Sequence, residues 1–166
     1  KAYWNLMMLG IFSGTDAVQT AAYGERALAL AHELGLCEQE AYASIDLYMA
    51  FFNLGDGGRA QAALAKSREL WQSLGNLPML ADSWARTAHA YFCAGEYEHA
   101  LKAVGEACRV SRAAQAPWQE ANSRQVESFI HLDRGDAEAA IQTLHEIIAI
   151  GDQIGLLSVQ TGSRAA

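Results

Sequence analysis

The sequence predicts an all-α solenoid of about four antiparallel helix pairs, and three observations predict it. The chain repeats itself: Gly55, Gly95 and Gly135 are spaced by 40 residues, each is followed by an acid (Asp56, Glu96, Asp136), and four residues past the acid stands Ala60, Ala100 or Ala140. A fixed period between 20 and 50 residues is the mark of a repeat architecture. A second punctuation keeps the same spacing in Leu34-Gly35, Leu74-Gly75 and Ile154-Gly155, and is broken only at Ala114-Gln115, where Pro117 follows. Between these marks apolar residues recur at steps of three and four, and the 51% apolar content with only two prolines suits helix on helix.

In chain order the helices are predicted at roughly 1–13 and 16–34, 38–54 and 57–74, 78–94 and 97–114, and 118–134 and 137–153. In the third pair, Leu80, Trp84, Thr87, Ala88 and Tyr91 form one apolar stripe, and Ala100, Leu101, Val104, Ala107, Cys108 and Ala114 form the next. Glycine between them can take the left-handed conformation that ends a helix. The acid after it suits the amides and positive dipole end of the next helix. So short a connection turns the second helix back antiparallel to the first. Pro78 and Pro117 stand near helix starts, where a missing amide costs little. In the first repeat the corresponding signal is Gly14-Thr15-Asp16, with the glycine shifted. Leu156 to Ala166 reads as the opening of a ninth helix.

Composition narrows function. Nineteen acids against twelve bases give a net charge of −7 with no basic cluster, which argues against nucleic acid and an anionic membrane as partners. Cys37, Cys93 and Cys108 are odd in number and form no CxxC pair, as expected of reduced thiols in a cytoplasmic protein. No apolar run approaches the roughly 20 residues that span a bilayer. The chain opens at Lys1 inside a helical pattern, so a piece of a longer protein is expected, read as one repeat domain over 1–166 with repeats at about 1–35, 36–75, 76–115 and 116–155 and a partial one at 156–166.

The third repeat reads Trp84-x2-Thr87-Ala88-x2-Tyr91, then Ala100-x3-Val104-x2-Ala107. This resembles the tetratricopeptide (TPR) pattern of Trp, Leu, Gly or Ala, Tyr, then Ala, aromatic, Ala. The first repeat offers Trp4, Met7, Met8, Ile11, Thr20, Gly24 and Ala27; the second Ser44, Leu47, Tyr48, Phe51, Ala60, Leu64 and Ser67; the fourth Arg124, Glu127, Ser128, His131, Ala140, Leu144 and Ile147. The resemblance implies a right-handed superhelix. The usual family period of 34 is exceeded by about six residues per repeat. A HEAT-like solenoid also fits a period near 40, and the Trp84/Tyr91/Ala100 combination favours the TPR form. Long repeats with ELG-type helix ends are similar to those of large bacterial regulators of the MalT and LuxR-like ATPase class. There such arrays sense or dock while other domains carry the chemistry.

The resemblance places the first helix of each repeat on an inner, concave face. There Phe12, Phe52, Phe92 and Leu132 recur at intervals of 40, with Leu9, Met49, His89 and Phe129 three residues before them. This ladder would either receive an apolar peptide or partner helix, or simply pack one repeat on the next. A polar set on the same face comprises Asn5, Asp46, Asn53, Asp82, Arg86, His89, Asn122 and Gln125, with Arg86 its only base, so a carboxylate clamp is not supported. Arg124, Glu127 and His131 replace inward-facing residues at helical spacing and read as a polar lock. The five histidines are scattered, and no phosphate loop, nucleophile elbow or metal-ligand set is present, so no catalytic residue, metal or cofactor is assigned.

The expected function is a non-catalytic docking arm that binds another protein or a neighbouring domain of its own chain. The second reading is a sensor holding a peptide or small ligand. The residues that the resemblance places on the inner face, Phe12, Met49, Phe52, Arg86, His89, Phe92 and Phe129, would form the site, and the open ends, Leu6, Met7, Leu156 and Leu157, could support self-association.

Overall fold

The computed structural model describes residues 1–14 and 16–155, and the expected ninth helix lies outside them. Eight helices follow in order: α1 (Ala2–Ser13), α2 (Ala17–Glu33), α3 (Cys37–Asn53), α4 (Gly57–Ser73), α5 (Leu77–Cys93), α6 (Tyr97–Ala113), α7 (Pro117–Asp133) and α8 (Ala137–Ile154). Every boundary lies within one residue of the sequence reading. That agreement has a local cause, because the punctuation residues act through the backbone. Gly35, Gly55, Gly75, Gly95 and Gly135 all adopt φ between 64° and 76°. At each of these turns the amide after the glycine closes a six-residue ring, as in Leu36 N–H to Ala31 O (2.8 Å) and Asp136 N–H to His131 O (2.9 Å).

The aspartates cap the helices that follow. Asp16 accepts from the amides of Val18 and Gln19, Asp56 from Arg59 and Asp136 from Ala139, at 2.9–3.3 Å. Glu96 holds the same place in the third repeat but makes no side-chain cap. Its longer side chain instead reaches His99 at 3.1 Å.

The helices divide into two compact units, Lys1–Asn76 and Leu77 onward. In the first, α1 packs on α2 and α3 on α4, with α2 against α3 and α1 touching α3. The closest approach needs glycine. A Cβ at Gly10 would collide with the Thr20 hydroxyl and lie 3.1 Å from the Thr20 Cβ, so α1 crosses α2 over bare backbone. Gly24 does the same under the side chains of Met7 and Leu47. Around these points Ile45, Leu47, Leu64 and Trp71 are fully buried.

In the second unit α5 packs on α6 and α7 on α8, with α7 also against both α5 and α6. Its core joins Ala88, Ala100, Ala103, Val104, Cys108, Val126 and Ile130, walled by Trp84, Tyr91, Phe92, Tyr97 and Leu101. Ala100 and its counterparts Ala60 and Ala140 are all buried. Small residues there let paired helices close on one another.

Candidate functional site

In the first unit, α1 is apolar on every side, yet only part of it is covered. Met7 is fully buried, whereas Leu6, Leu9 and Phe12, three residues apart along one side, stay open, Leu9 being 64% and Phe12 82% exposed. Met49 and Phe52 on α3 are half-buried.

In the second unit the corresponding rings are spent on packing. Phe92 on α5 stacks on Tyr97 of α6 (centroids 6.1 Å) and meets Phe129 of α7 at 5.9 Å. The residues of this ladder thus have two environments: Phe92 and Phe129 bind helices together, and Phe12 faces outward. Arg86 is paired with Asp82 at 3.0 Å, one helical turn away. His89 is half-buried, and its Nε2 lies 3.7 Å from the Cys93 sulfur. Burial first, and the Arg86 charge second, hold the His89 imidazole below its ordinary value. Burial raises the Cys93 thiol.

Other polar residues join helices. Asp46 is buried and accepts from the Trp4 indole at 3.0 Å, tying α3 to α1. Buried Glu40 is reached by His32 of α2 at 3.3 Å and by Lys66 of α4 at 3.4 Å. Arg124 pairs with Glu127 at 3.7 Å, as its spacing predicts, but its nearer partners are Glu120 at 3.3 Å and Glu146 at 2.7 Å. Glu120 in turn accepts two bonds from Arg112, so the lock runs across α6, α7 and α8. Among the described residues no ion pair joins Glu127 to His131. His131 is half-buried at the edge of a polar cleft of about 210 Å³, with Thr143 and Gln142 opposite. Among the described residues no three His, Cys, Asp or Glu side chains converge as a metal site.

One feature escaped the sequence reading. In the first unit an apolar cavity of about 600 Å³ opens between α1, α2 and α3, walled by Tyr3, Trp4, Leu30, Ala31, Leu34 and Tyr42. Its signal was present in the repeat alignment. Forty residues after Ala2 and Ala31 stand Tyr42 and Trp71, so two alanines hold places that the next repeat gives to aromatics. Periodicity counts both as apolar and does not register the lost volume.

No helix among the described residues is long and apolar enough to cross a membrane. No family model matches the chain, and no curated protein matches it. Two solved structures are similar to it, both of TPR-like repeats, described as nearly identical, from a candidate kinesin light chain of Podosopora anserina. The first, a point-substituted form, superposes with a TM-score of 0.71 at 14% identity, covering 92% of this chain and 74% of that one. The second gives 0.71 at 13% identity with the same coverage. Identity at this level speaks to fold alone. The chain is an all-α, TPR-like repeat protein, built as eight helices in sequential antiparallel pairs.

Proposed function

We propose that this chain is a non-catalytic docking arm that binds another protein, or a neighbouring domain of its own polypeptide, through the open side of α1. The observation that carries this reading is the run Leu6, Leu9 and Phe12, left exposed on a helix whose opposite side is buried. Exposed apolar residues in a contiguous run are a reason to expect a partner. The engagement of Arg86, Asp82 and Arg124 in ion pairs supports a structural role for these polar groups. The 40-residue period and the ELG-type helix ends support a place in a large cytoplasmic bacterial regulator that resembles the MalT and LuxR-like class, with 1–166 as its repeat region.

The test is a photo-crosslinker introduced as Phe12→benzoylphenylalanine in cells of the source organism, with the same group at exposed Gln115 as a control. Crosslinking to a defined protein from position 12, abolished by Leu9→Glu, is the expected result. Equal crosslinking from both positions, or none from position 12, would overturn the docking reading. A second reading, a ligand-sensing repeat domain, is favoured by the 600 Å³ cavity in the first unit.

A further inference from the structure

We propose that His89 and Cys93, one turn apart on α5, form a two-ligand chelate for a soft, thiophilic cation, Cu(I). The inference goes beyond the docking reading and does not depend on it. Sequence singles out the pair. Three residues before the ladder position the other repeats carry apolar Leu9, Met49 and Phe129, and only the third carries an imidazole, His89. Four residues on, those repeats have Ser13, Asn53 and Asp133, where the third has Cys93. Packing common to the repeats therefore calls for neither residue. Side chains four apart lie one above the other on a helix. The same spacing lets the two histidines of a helical HExxH motif hold one zinc ion.

The structure brings the two groups together. The Cys93 sulfur lies 3.7 Å from Nε2 and 3.9 Å from Nδ1 of His89. A closed-shell cation bonded at about 2.3 Å to sulfur and about 2.0 Å to nitrogen separates them by about 3.5 Å at the tetrahedral angle and about 4.3 Å when linear. The observed separation falls between these limits, so a cation fits without movement of the backbone. Turning the imidazole about Cβ–Cγ, a broad torsion, aims a nitrogen at it. Cys93 is the last residue of α5 and is exposed, which gives an ion access to the sulfur. Arg86, one turn before His89, has its charge offset by Asp82 at 3.0 Å.

Two ligands select the metal. Among the described residues no third His, Cys, Asp or Glu joins the pair, as a closed zinc site would require. Cu(I) prefers thiolate and imidazole donors and is content with two of them. Burial holds the His89 imidazole below its ordinary value and so in its neutral, ligating form. The Cys93 thiol gives up its proton to solvent as the sulfur–copper bond forms, and the ion stays cuprous throughout.

The test is an oxygen-free titration of Cu(I) into the protein against the chromogenic chelator bicinchoninate. One tightly bound ion per chain, with a thiolate-to-copper charge-transfer band in the ultraviolet, is expected. Cys93→Ser should abolish this site, Cys37→Ser should leave it intact, and His89→Phe should weaken it by about tenfold or more. His89→Phe installs the side chain that Phe129 supplies one repeat later. Should it fail to fold, alkylation of the wild-type protein carries the same test: one equivalent of Cu(I) should shield Cys93 from iodoacetamide and leave Cys37 open. Equal shielding of both thiols, unchanged affinity in His89→Phe, or loss of the site in Cys37→Ser would overturn the proposal, since each would make Cys93 an ordinary surface thiol. Leu9→Glu, which tests docking, should leave copper binding unchanged, so the two readings fail separately.

Discussion

Gln115 carries a backbone conformation that the other described helix ends of this kind leave to glycine. Its φ is 51°, and the Ala116 amide still bonds Ser111 O at 2.9 Å, as the turns at Gly95 and Gly135 do. The turn is therefore imposed by the repeat, and the side chain bears its steric cost. Gln115 is exposed, so little packing is lost on removing it. Gln115→Gly should stabilise the protein by about 1 kcal/mol, read as a higher urea midpoint. An unchanged or lower midpoint would mean that the turn is not strained.

Cys108 shows the other residue-scale effect. Burial is the largest cause that raises its thiol to about 11 from the ordinary 9.0, ahead of the opposing charges of Arg124 and Glu120. The folded state thus holds the proton more tightly than the unfolded chain. That contribution to stability is complete below about pH 9 and is lost as pH rises through about 11, amounting to about 2 kcal/mol at most. The wild-type midpoint should fall faster than that of Cys108→Ala between about pH 8 and about pH 10.5. Iodoacetamide should label exposed Cys37 and Cys93 in the folded protein and Cys108 only after unfolding. Parallel pH profiles, or early labelling of Cys108, would contradict this account.

At the scale of the helix, the pairs are held by a small residue at one recurring place. Ala100 sits where α6 crosses α5 and is completely buried, within a core that leaves a longer side chain no room. Ala100→Leu should overpack this crossing and cost about 1–3 kcal/mol in thermal or urea unfolding. A neutral result would mean that the repeat phase is misassigned. Helix ends were legible in the sequence because Gly, Asp and Pro act within a few residues of themselves. The choice between Asp136, which caps, and Glu96, which turns to His99, depends on one methylene and could not be read from charge alone. The same limit applied to Phe12 and Phe92. Both occupy one repeat position, and only the neighbours supplied by other helices, Tyr97 and Phe129 for Phe92, make one a packing residue while the other stays exposed.

For the molecule as a whole, the sequence by itself determined the fold class, the number of described helices and their ends, and the buried alanine of the last three pairs. It did so because a 40-residue period repeats local signals whose effect does not depend on distant residues. Tertiary structure decided the candidate site. It buried Asp46 under Trp4, turned Arg124 toward Glu146, and left a cavity at Ala31 where the next repeat seats Trp71. The physical reason is that a hydrophobic pattern records which side of a helix is apolar, whereas a cavity or an exposed ring depends on the volumes that three helices bring to one place.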